Sequence, residues 1–367
     1  MSVRHLARYV LCLGLYYLGI VFLSRTVRRW RGNRRVVILA YHSFSDCLRY
    51  LDMAISPPLF IEQVRYLCKV FRVQTLSKAL AAWDNATDLW VDTAVITVDD
   101  GYADNFQPLV EVMTKFDAPS TLYVTTNCID IGQPTPVMWV MLAVHHATVE
   151  TIDLSEIGRG PTWIRTQQEK ELAIRAIDGA LKPLSATQRN EAIKRLIEKT
   201  GQGKLVRQLS ESAMLKWEQV RLMHLAGVEI GAHSLSHPAL SGLDPAAARD
   251  EIVASVQRVK EMVGTETVTF AYPYGSQSDV NEVVIKICKQ SGASAAVMLI
   301  KGDMPGDDFF RIPRMMVTSD HSTNPWGYFS QAMWACELEG LVDVARNLIT
   351  SISGLVTRTY RSCEVRV

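Results

Sequence analysis

Short runs of β-branched and apolar residues recur along the chain, and between most of them the apolar positions spread to a helical period. Val36-Val37-Ile38-Leu39-Ala40-Tyr41-His42 reads as a buried strand that ends in a histidine. Pro58 to Leu67 places Leu59, Phe60, Val64 and Leu67 at helical spacing, with Pro58 suited to a first turn. Val70 to Leu76 predicts a second strand and Ser77 to Trp83 a helix capped by Ser77. Ala94 to Val98 predicts a third strand, Phe106 to Phe116 a helix, and Ser120 to Thr125 a further strand. Strand and helix in alternation imply parallel βα units and an α/β fold.

From about Pro134 to Lys216 that rhythm stops. Trp139, Leu142 and Ala143 keep helical spacing; Gln168 to Leu181 and Ser185 to Thr200 predict two helices around Pro183, with Ser185 and Gln188 placed for a capping box. No strand pattern is visible, so this reads as a helical insertion, either a lid over substrate or a packed subdomain. Trp217 to Ala226 then predicts a helix, Val228 to Ala232 a strand, and Asp244 to Val263 a helix begun by Asp244 and Pro245. Val268 to Tyr272, Ala293 to Leu299 and Met315 to Thr318 supply the last strands, about seven or eight in all, which predicts a (β/α)-type barrel.

The two ends differ from this core. Tyr9 to Leu23 is apolar, preceded by Arg4 and Arg8 and followed by Arg25, Arg28, Arg29, Arg31, Arg34 and Arg35. The run is short for a perpendicular span, which needs roughly 20 apolar residues. No small-x-small cleavage site follows it, so an uncleaved anchor fits better than a signal peptide, either spanning or lying partly in one leaflet. Arginines after the run place the following domain on the cytoplasmic side; a periplasmic or extracellular face is the alternative. Leu341 to Val356 predicts a C-terminal amphipathic helix, packed on the barrel or resting on a membrane. The expected organisation is an anchor over residues 1–35, a barrel over 36–320 with its insertion at about 134–216, and a tail over 321–367.

A formal net charge of +1 argues against a nucleic-acid binder. The seven cysteines (Cys12, Cys47, Cys68, Cys128, Cys288, Cys336, Cys363) form no Cys-x-x-Cys and no disulfide framework, in keeping with a reducing compartment.

Chemistry concentrates at two strand ends. Asp99-Asp100-Gly101-Tyr102 closes the third strand, and His233-Ser234-Leu235-Ser236-His237-Pro238 closes the strand at Val228 to Ala232. Two imidazoles four residues apart and one carboxylate make a three-ligand divalent-metal site with a position left for water, and the second carboxylate is free to act as a base. Mixed O and N donors suit zinc, and also cobalt, nickel or manganese.

Thr97-Val98-Asp99-Asp100-Gly101-Tyr102 with His233-Ser234-x-x-His237-Pro238 resembles the first two motifs of the polysaccharide deacetylases, metal-dependent carbohydrate esterases of NodB-homology type. Phe270-Ala271-Tyr272-Pro273-Tyr274-Gly275 is similar to their third motif and Arg311-Ile312-Pro313-Arg314 to their fourth. The likeness runs from about Val36 to about Val317 and implies a distorted seven-stranded barrel. It also implies Asp100, His233 and His237 as ligands, Asp99 as the base, and the Tyr102 amide as oxyanion donor. Two departures from the family pattern stand out. Tyr272 occupies the position of the arginine that holds the base, and the late Leu-x-x-His is absent. Arg314, or else Arg311, is the candidate cation, and His42, or else His321, the candidate acid. Tyr272, Pro273 and Tyr274, with Trp139 of the insertion, are candidate sugar contacts.

The resemblance implies hydrolysis of an N-acetyl group from an amino sugar, in a glycan or a lipid-linked saccharide met at the membrane. Exported exopolysaccharide or cell-wall glycan is the alternative substrate. A non-sugar amide hydrolase and a non-catalytic sugar- or partner-binding member are the other readings.

Overall fold

The computed structural model describes residues 3–33, 35–45, 50, 53–84, 92–300, 302, 304 and 308–346. They form two compact units: residues 35–317, and a terminal unit drawn from the chain before residue 35 and from 318 onward. The chain begins in the terminal unit with α1 (Val3–Tyr17) and α2 (Ile20–Trp30), bent by 60° from one another. The apolar run is thus broken in two, because Gly19 adopts a left-handed φ of 76° at the start of α2. No single helix among the described residues is long and apolar enough to cross a membrane; the bent pair together meets that test by length and composition.

The barrel unit opens with β1 (Val36–Tyr41), α3 (Pro57–Val70), β2 (Arg72–Gln74), α4 (Leu76–Asp84), β3 (Thr93–Val98), α5 (Phe106–Phe116) and β4 (Ser120–Val124). Next come α6 (Thr126–Ile131), α7 (Pro136–His145), the strands β5 (Thr151–Asp153) and β6 (Pro161–Trp163), and the helices α8 (Gln167–Leu181), α9 (Ala186–Lys199) and α10 (Gly203–Ser210). It continues through α11 (Trp217–Leu225), β7 (Glu229–Ala232), α12 (Pro245–Val263), β8 (Phe270–Ala271), α13 (Glu282–Gln290), β9 (Ala296–Met298), β10 (Ile312–Pro313) and β11 (Met315–Met316).

The strands of the main sheet run in the order β10-β9-β8-β7-β4-β3-β1-β11, with every pairing parallel. Its two ends, β10 and β11, are separated in the chain by Arg314 alone, so the segment Ile312–Met316 serves both edges and brings the sheet nearly to closure. Counted this way, the ring has seven staves: that segment, β9, β8, β7, β4, β3 and β1. β2 is not a stave. It pairs with Thr93–Val95 of β3, and β4 takes over the same edge from Ile96. The interior is apolar: Ile38, Val95, Ala271, Val297 and Ile312 meet Tyr123 and Leu76 in one buried cluster.

Two local expectations change. α4 starts at Leu76, so Ser77 lies inside its first turn rather than capping it. Its first amides are met by barrel side chains instead, Leu76 N–H donating to Thr121 Oγ1 at 3.0 Å and Ser77 N–H to Glu229 Oε2 at 2.9 Å. The insertion is also not wholly helical, since β5 and β6 pair antiparallel, Thr151 opposite Trp163. Each is three residues long, too short for a period of two to be legible. The capping boxes that start α8 and α9, at Thr166/Glu169 and Ser185/Gln188, and the Asp244 cap of α12 are local and complete.

The terminal unit ends with α14 (Gln331–Leu338), on which α1 packs. Residues 341–346 are helical, and the rest of the helix expected over Leu341 to Val356 lies outside the described residues. Cys12, Cys68, Cys128, Cys288 and Cys336 are free thiols; Cys47 and Cys363 lie outside the described residues.

Candidate active site

Because the staves are parallel, their C-terminal ends open on one mouth, and the ladder continues a residue past each strand end. Asp99 N–H donates to Tyr41 O at 2.9 Å, His233 N–H to Val124 O at 3.0 Å, Tyr272 N–H to Val297 O at 3.2 Å, and Arg314 N–H to Met298 O at 2.9 Å. These bonds fix the backbones of four motif residues before their side chains do anything.

Asp100, His233 and His237 converge there. Nε2 of His237 lies 3.3 Å and Nε2 of His233 lies 3.5 Å from Asp100 Oδ1, and all three residues are buried. Donors at about 2.1 Å from a tetrahedral ion stand about 3.4 Å apart, so the spacing fits one divalent cation. Among the described residues neither Asp100 oxygen has a hydrogen-bond partner of ordinary geometry. Burial, then the charge of Asp99, pushes its carboxyl up to about 8, the signature of an acidic group that lacks a counter-charge. The His233 Nδ1 faces the Ala271 carbonyl at 2.7 Å and must donate to it, which leaves Nε2 with its lone pair for a metal. Burial lowers both imidazoles below their ordinary range, so they stay neutral ligands.

Backbone strain marks the same place. Asp100, Ser234, His237 and Tyr274 are four of the five non-glycine residues with positive φ among those described. Glu251 of α12 holds the His233–His237 loop, accepting from Leu235 N–H at 2.9 Å, Ser236 N–H at 3.0 Å and Ser236 Oγ at 2.6 Å.

Asp99 sits beside this group and is gripped by Arg314, with Nη1 to Oδ1 and Nη2 to Oδ2 each at 2.7 Å. Arg314 Nη1 also donates to Thr97 Oγ1 at 2.8 Å, and Thr97 in turn to the Leu39 carbonyl at 2.8 Å. Burial would raise the Asp99 carboxyl; the Arg314 guanidinium overrides it and holds the group well below the usual carboxylate range. Arg311 points elsewhere, to Asp308 at 2.9 Å and Glu282 at 2.5 Å on the surface.

His42 Nε2 stands 3.9 Å from Asp99 Oδ2, and its Nδ1 has no hydrogen-bond partner among the described residues. Burial lowers its pKa to about 4, so the ring is neutral at pH 7. The fully buried Asn105 steadies the segment by donating to the His42 carbonyl at 2.7 Å. His321 belongs to the terminal unit, where Nδ1 accepts from Thr318 N–H at 3.2 Å and Nε2 lies 3.8 Å from Glu337. The Tyr102 hydroxyl pairs with Thr135 Oγ1 at 2.6 Å, while its main-chain N–H makes no backbone hydrogen bond among the described residues.

The candidate sugar contacts separate. Tyr274 is at the site, its ring 5.0 Å from that of His237, its hydroxyl 3.3 Å from Asp178 of α8, and the Lys182 ammonium 4.3 Å over its face. Pro273 shapes the turn that presents it, its carbonyl accepting from Gly275 N–H at 2.7 Å. Gly275 is required there, because a Cβ would fall 2.8 Å from Leu299 N at a φ of +67°. Tyr272 is not a sugar contact: it is buried, packed against Phe270, with its hydroxyl donating to the Phe310 carbonyl at 3.1 Å. Trp139, half-buried on the otherwise buried α7, lines a cleft of about 600 Å³ with Gln133, Ile193, Lys194 and Arg207.

The sequence assigns no role to Thr97, Asn105, Asp178, Glu251 or Arg189. The first two flank the Asp99-Asp100 motif and were legible by position; the others come from helices whose sequence carries no motif. Arg189 of α9 is buried, its Nε unpaired and its side chain in no ion pair among the described residues, yet its charge is felt at His237 and Tyr274.

A buried Asp-His-His group that could hold a cation stands beside an arginine-held carboxylate at the C-terminal mouth of a parallel barrel, an arrangement suited to hydrolysis. The chain belongs to the polysaccharide deacetylase family, whose model matches residues 90–296, and it is a hydrolase of carbon–nitrogen bonds that deacetylates glycans. The fold is similar to that of the Streptococcus pyogenes deacetylase PplD in complex with acetate, at 16% identity over 78% of this chain and 94% of that one, TM-score 0.53. It is similar also to IcaB from Ammonifex degensii, at 20% identity over 83% and 97% of the two chains, TM-score 0.51. A de-N-acetylase from Aggregatibacter actinomycetemcomitans gives 17% identity over 77% and 95%, TM-score 0.50. No curated protein matches the chain.

Proposed function

We propose that the protein removes an acetyl group from an N-acetylated amino sugar carried on a lipid-linked glycan precursor, with a divalent cation, zinc by donor type, held by Asp100, His233 and His237. The observation that carries this reading is the pairing of two unlike carboxylates in one buried pocket. Among the described residues Asp100 makes no hydrogen bond of ordinary geometry and faces two neutral imidazoles, whereas Asp99 is paired by Arg314 and kept ionised. A cation held by Asp100, His233 and His237 would lower the pKa of water and polarise the acyl carbonyl.

Asp99 is ionised at all working pH values and so is always able to accept a proton from the attacking water. It is also a weak base, since Arg314 holds its pKa below the ordinary range. His42, 3.9 Å away and with a pKa of about 4, binds a proton more tightly than Asp99 does. The proton therefore passes from Asp99 to His42, and from His42 to the nitrogen of the departing amine as the carbon–nitrogen bond breaks. The Tyr102 N–H meets the charge that develops on the acyl oxygen. Acetate and a free amino sugar result.

Two features favour a lipid-linked substrate. Among the described residues Arg189 has no ion-pair partner and its Nε is unpaired, and a phosphate next to the acetamido group would provide one. Arginine following the apolar run and left exposed at the end of α2, as Arg31 is, contributes about 1 kcal/mol near an anionic leaflet, and the excess of arginine after the run favours a barrel on the cytoplasmic side, where glycan precursors are assembled on lipid carriers.

The test is mass spectrometry of lipid-linked and free N-acetylated saccharides incubated with the metal-loaded protein. Loss of one acetyl group from the lipid-linked set is the expected result. Release from exported polysaccharide alone would overturn the substrate assignment, and no release from any amino sugar would overturn the reaction.

A further inference from the structure

α2 is arranged inside out for a helix in water. Val21, Arg25 and Arg28 lie three to four residues apart on the face turned into the terminal unit. Val21 is buried there, and both guanidiniums meet the carboxylate of Glu339, at 2.9 and 3.3 Å. The Glu339 side chain is fully buried. The opposing stripe at the same period, Ile20, Leu23, Val27 and Trp30, faces outward, with Trp30 at 84% exposure. Leu18 at the bend and Phe22 in the first turn of α2 extend that surface, at 79% and 72% exposure. A helix that packs on a protein core in water turns its apolar stripe in and its charges out. Neutralised cations inside and an apolar stripe outside suit acyl chains as the outer medium. Arg31, exposed where α2 ends, supplies a cation at headgroup level.

Length and bend decide how the unit lies. The 11 residues of α2 extend about 16 Å, roughly half of a hydrocarbon core of about 30 Å. α1 turns away from it by 60° and is held along its length by the C-terminal segment. His5 Nε2 is 3.0 Å from the Thr323 carbonyl, Arg8 pairs with Glu337 at 2.7 Å, and Cys336 Sγ lies 3.7 Å from the Cys12 carbonyl. Gln331 Nε2 donates to the Tyr16 hydroxyl at 2.5 Å, and the Tyr9 ring meets Trp326 edge-on at 6.0 Å. A span that drew α1 into the bilayer would strip every one of these contacts.

We infer that the two chain ends fold together into a docking module that lies in one leaflet of a bilayer, immersing Leu18, Phe22 and the outer stripe of α2 without crossing to the far side. The inference rests on the membrane-bound reading above and specifies its mode. It makes residues of the C-terminal segment, Glu337 and Glu339 above all, part of the membrane-binding device.

The experiment uses the full-length protein with a cleavable amino-terminal tag, added to preformed vesicles of phosphatidylcholine and phosphatidylglycerol and recovered by flotation. The protein should float with the vesicles while the tag stays fully cleavable by protease outside. A Leu23→Ser/Val27→Ser double variant should lower the bound fraction at least tenfold with its thermal unfolding unchanged, and Glu339→Gln should lower it as well. A tag protected within the lumen would overturn the single-leaflet mode. Undiminished flotation of the double variant would overturn the assigned face. Failure of the native protein to float would remove the membrane reading itself, and a double variant that instead converts a dimer to a monomer would assign the face to a second copy. Deacetylation of a soluble N-acetylated saccharide, read on the same samples, tells any of these failures apart from failure of the proposed reaction.

Discussion

Replacing Arg314 by methionine tests the centre most directly, because it leaves the volume nearly filled and removes only the fork that holds Asp99. The guanidinium makes both of its carboxylate bonds at 2.7 Å in a place where the Arg314 and Asp99 side chains are 0% and 1% exposed. Taking one partner from such a buried pair costs about 3–5 kcal/mol, since the remaining charge is left without compensation. For a unit of this size that lowers Tm by roughly 10 °C. The pH dependence carries the sharper signal. In the native protein Asp99 has a folded pKa below its unfolded value, so it contributes stability above the unfolded pKa that is lost as pH falls through the folded one. In the variant, burial and the neighbouring Asp100 raise the folded pKa above the unfolded value, and stability is lost as pH rises. The Tm difference between the two proteins should therefore widen from pH 4 to pH 7. Turnover at pH 7 should fall at least about a hundredfold and recover partly on the alkaline side as Asp99 ionises. The assay is differential scanning calorimetry across pH with a parallel deacetylation profile. Arg311→Met is the control, because its ion pairs are surface pairs worth about 0–1 kcal/mol. A Tm difference that stays constant with pH, or an Arg311 variant that behaves like the Arg314 one, would refute the reasoning.

Other expectations are simpler. Asp99→Asn should abolish turnover and keep metal content, whereas His233→Ala and His237→Ala should each lose the metal by elemental analysis; full metal stoichiometry after both histidine replacements would sink the ligand assignment. His42 is held neutral by burial, its folded pKa of about 4 lying below the ordinary 6.5, so the native protein loses stability as pH falls from 6.5 towards 4. That gap is worth about 3 kcal/mol, and His42→Gln should flatten the pH dependence of Tm across the window while lowering kcat; an unchanged slope would contradict the buried-neutral assignment.

The sequence by itself determined what local pattern can carry. β-branched runs ending in Asp99-Asp100 and His233 told where strands stop and chemistry begins, because burial on both faces of a parallel strand demands an apolar run and its end is where polar side chains can emerge. Helix starts at Ser185 and Asp244 were equally legible, since a cap is a contact between residues two or three apart. Only the tertiary structure decided which cation holds Asp99. Arg314 reaches it across 215 positions, and the short run around it, divided between β10 and β11, gives no period that would say which way its side chain points. The same holds for Tyr272: an aromatic beside a motif has the same composition whether its ring faces sugar or core, and the bond to the Phe310 carbonyl settles it. The apolar N-terminal run was visible at once, but its bend at Gly19 and its inward-facing arginines were not, because the Glu339 carboxylate that neutralises them lies more than three hundred positions away in the chain. Contacts between residues close in sequence leave a periodic trace; contacts made by folding leave none until the fold exists.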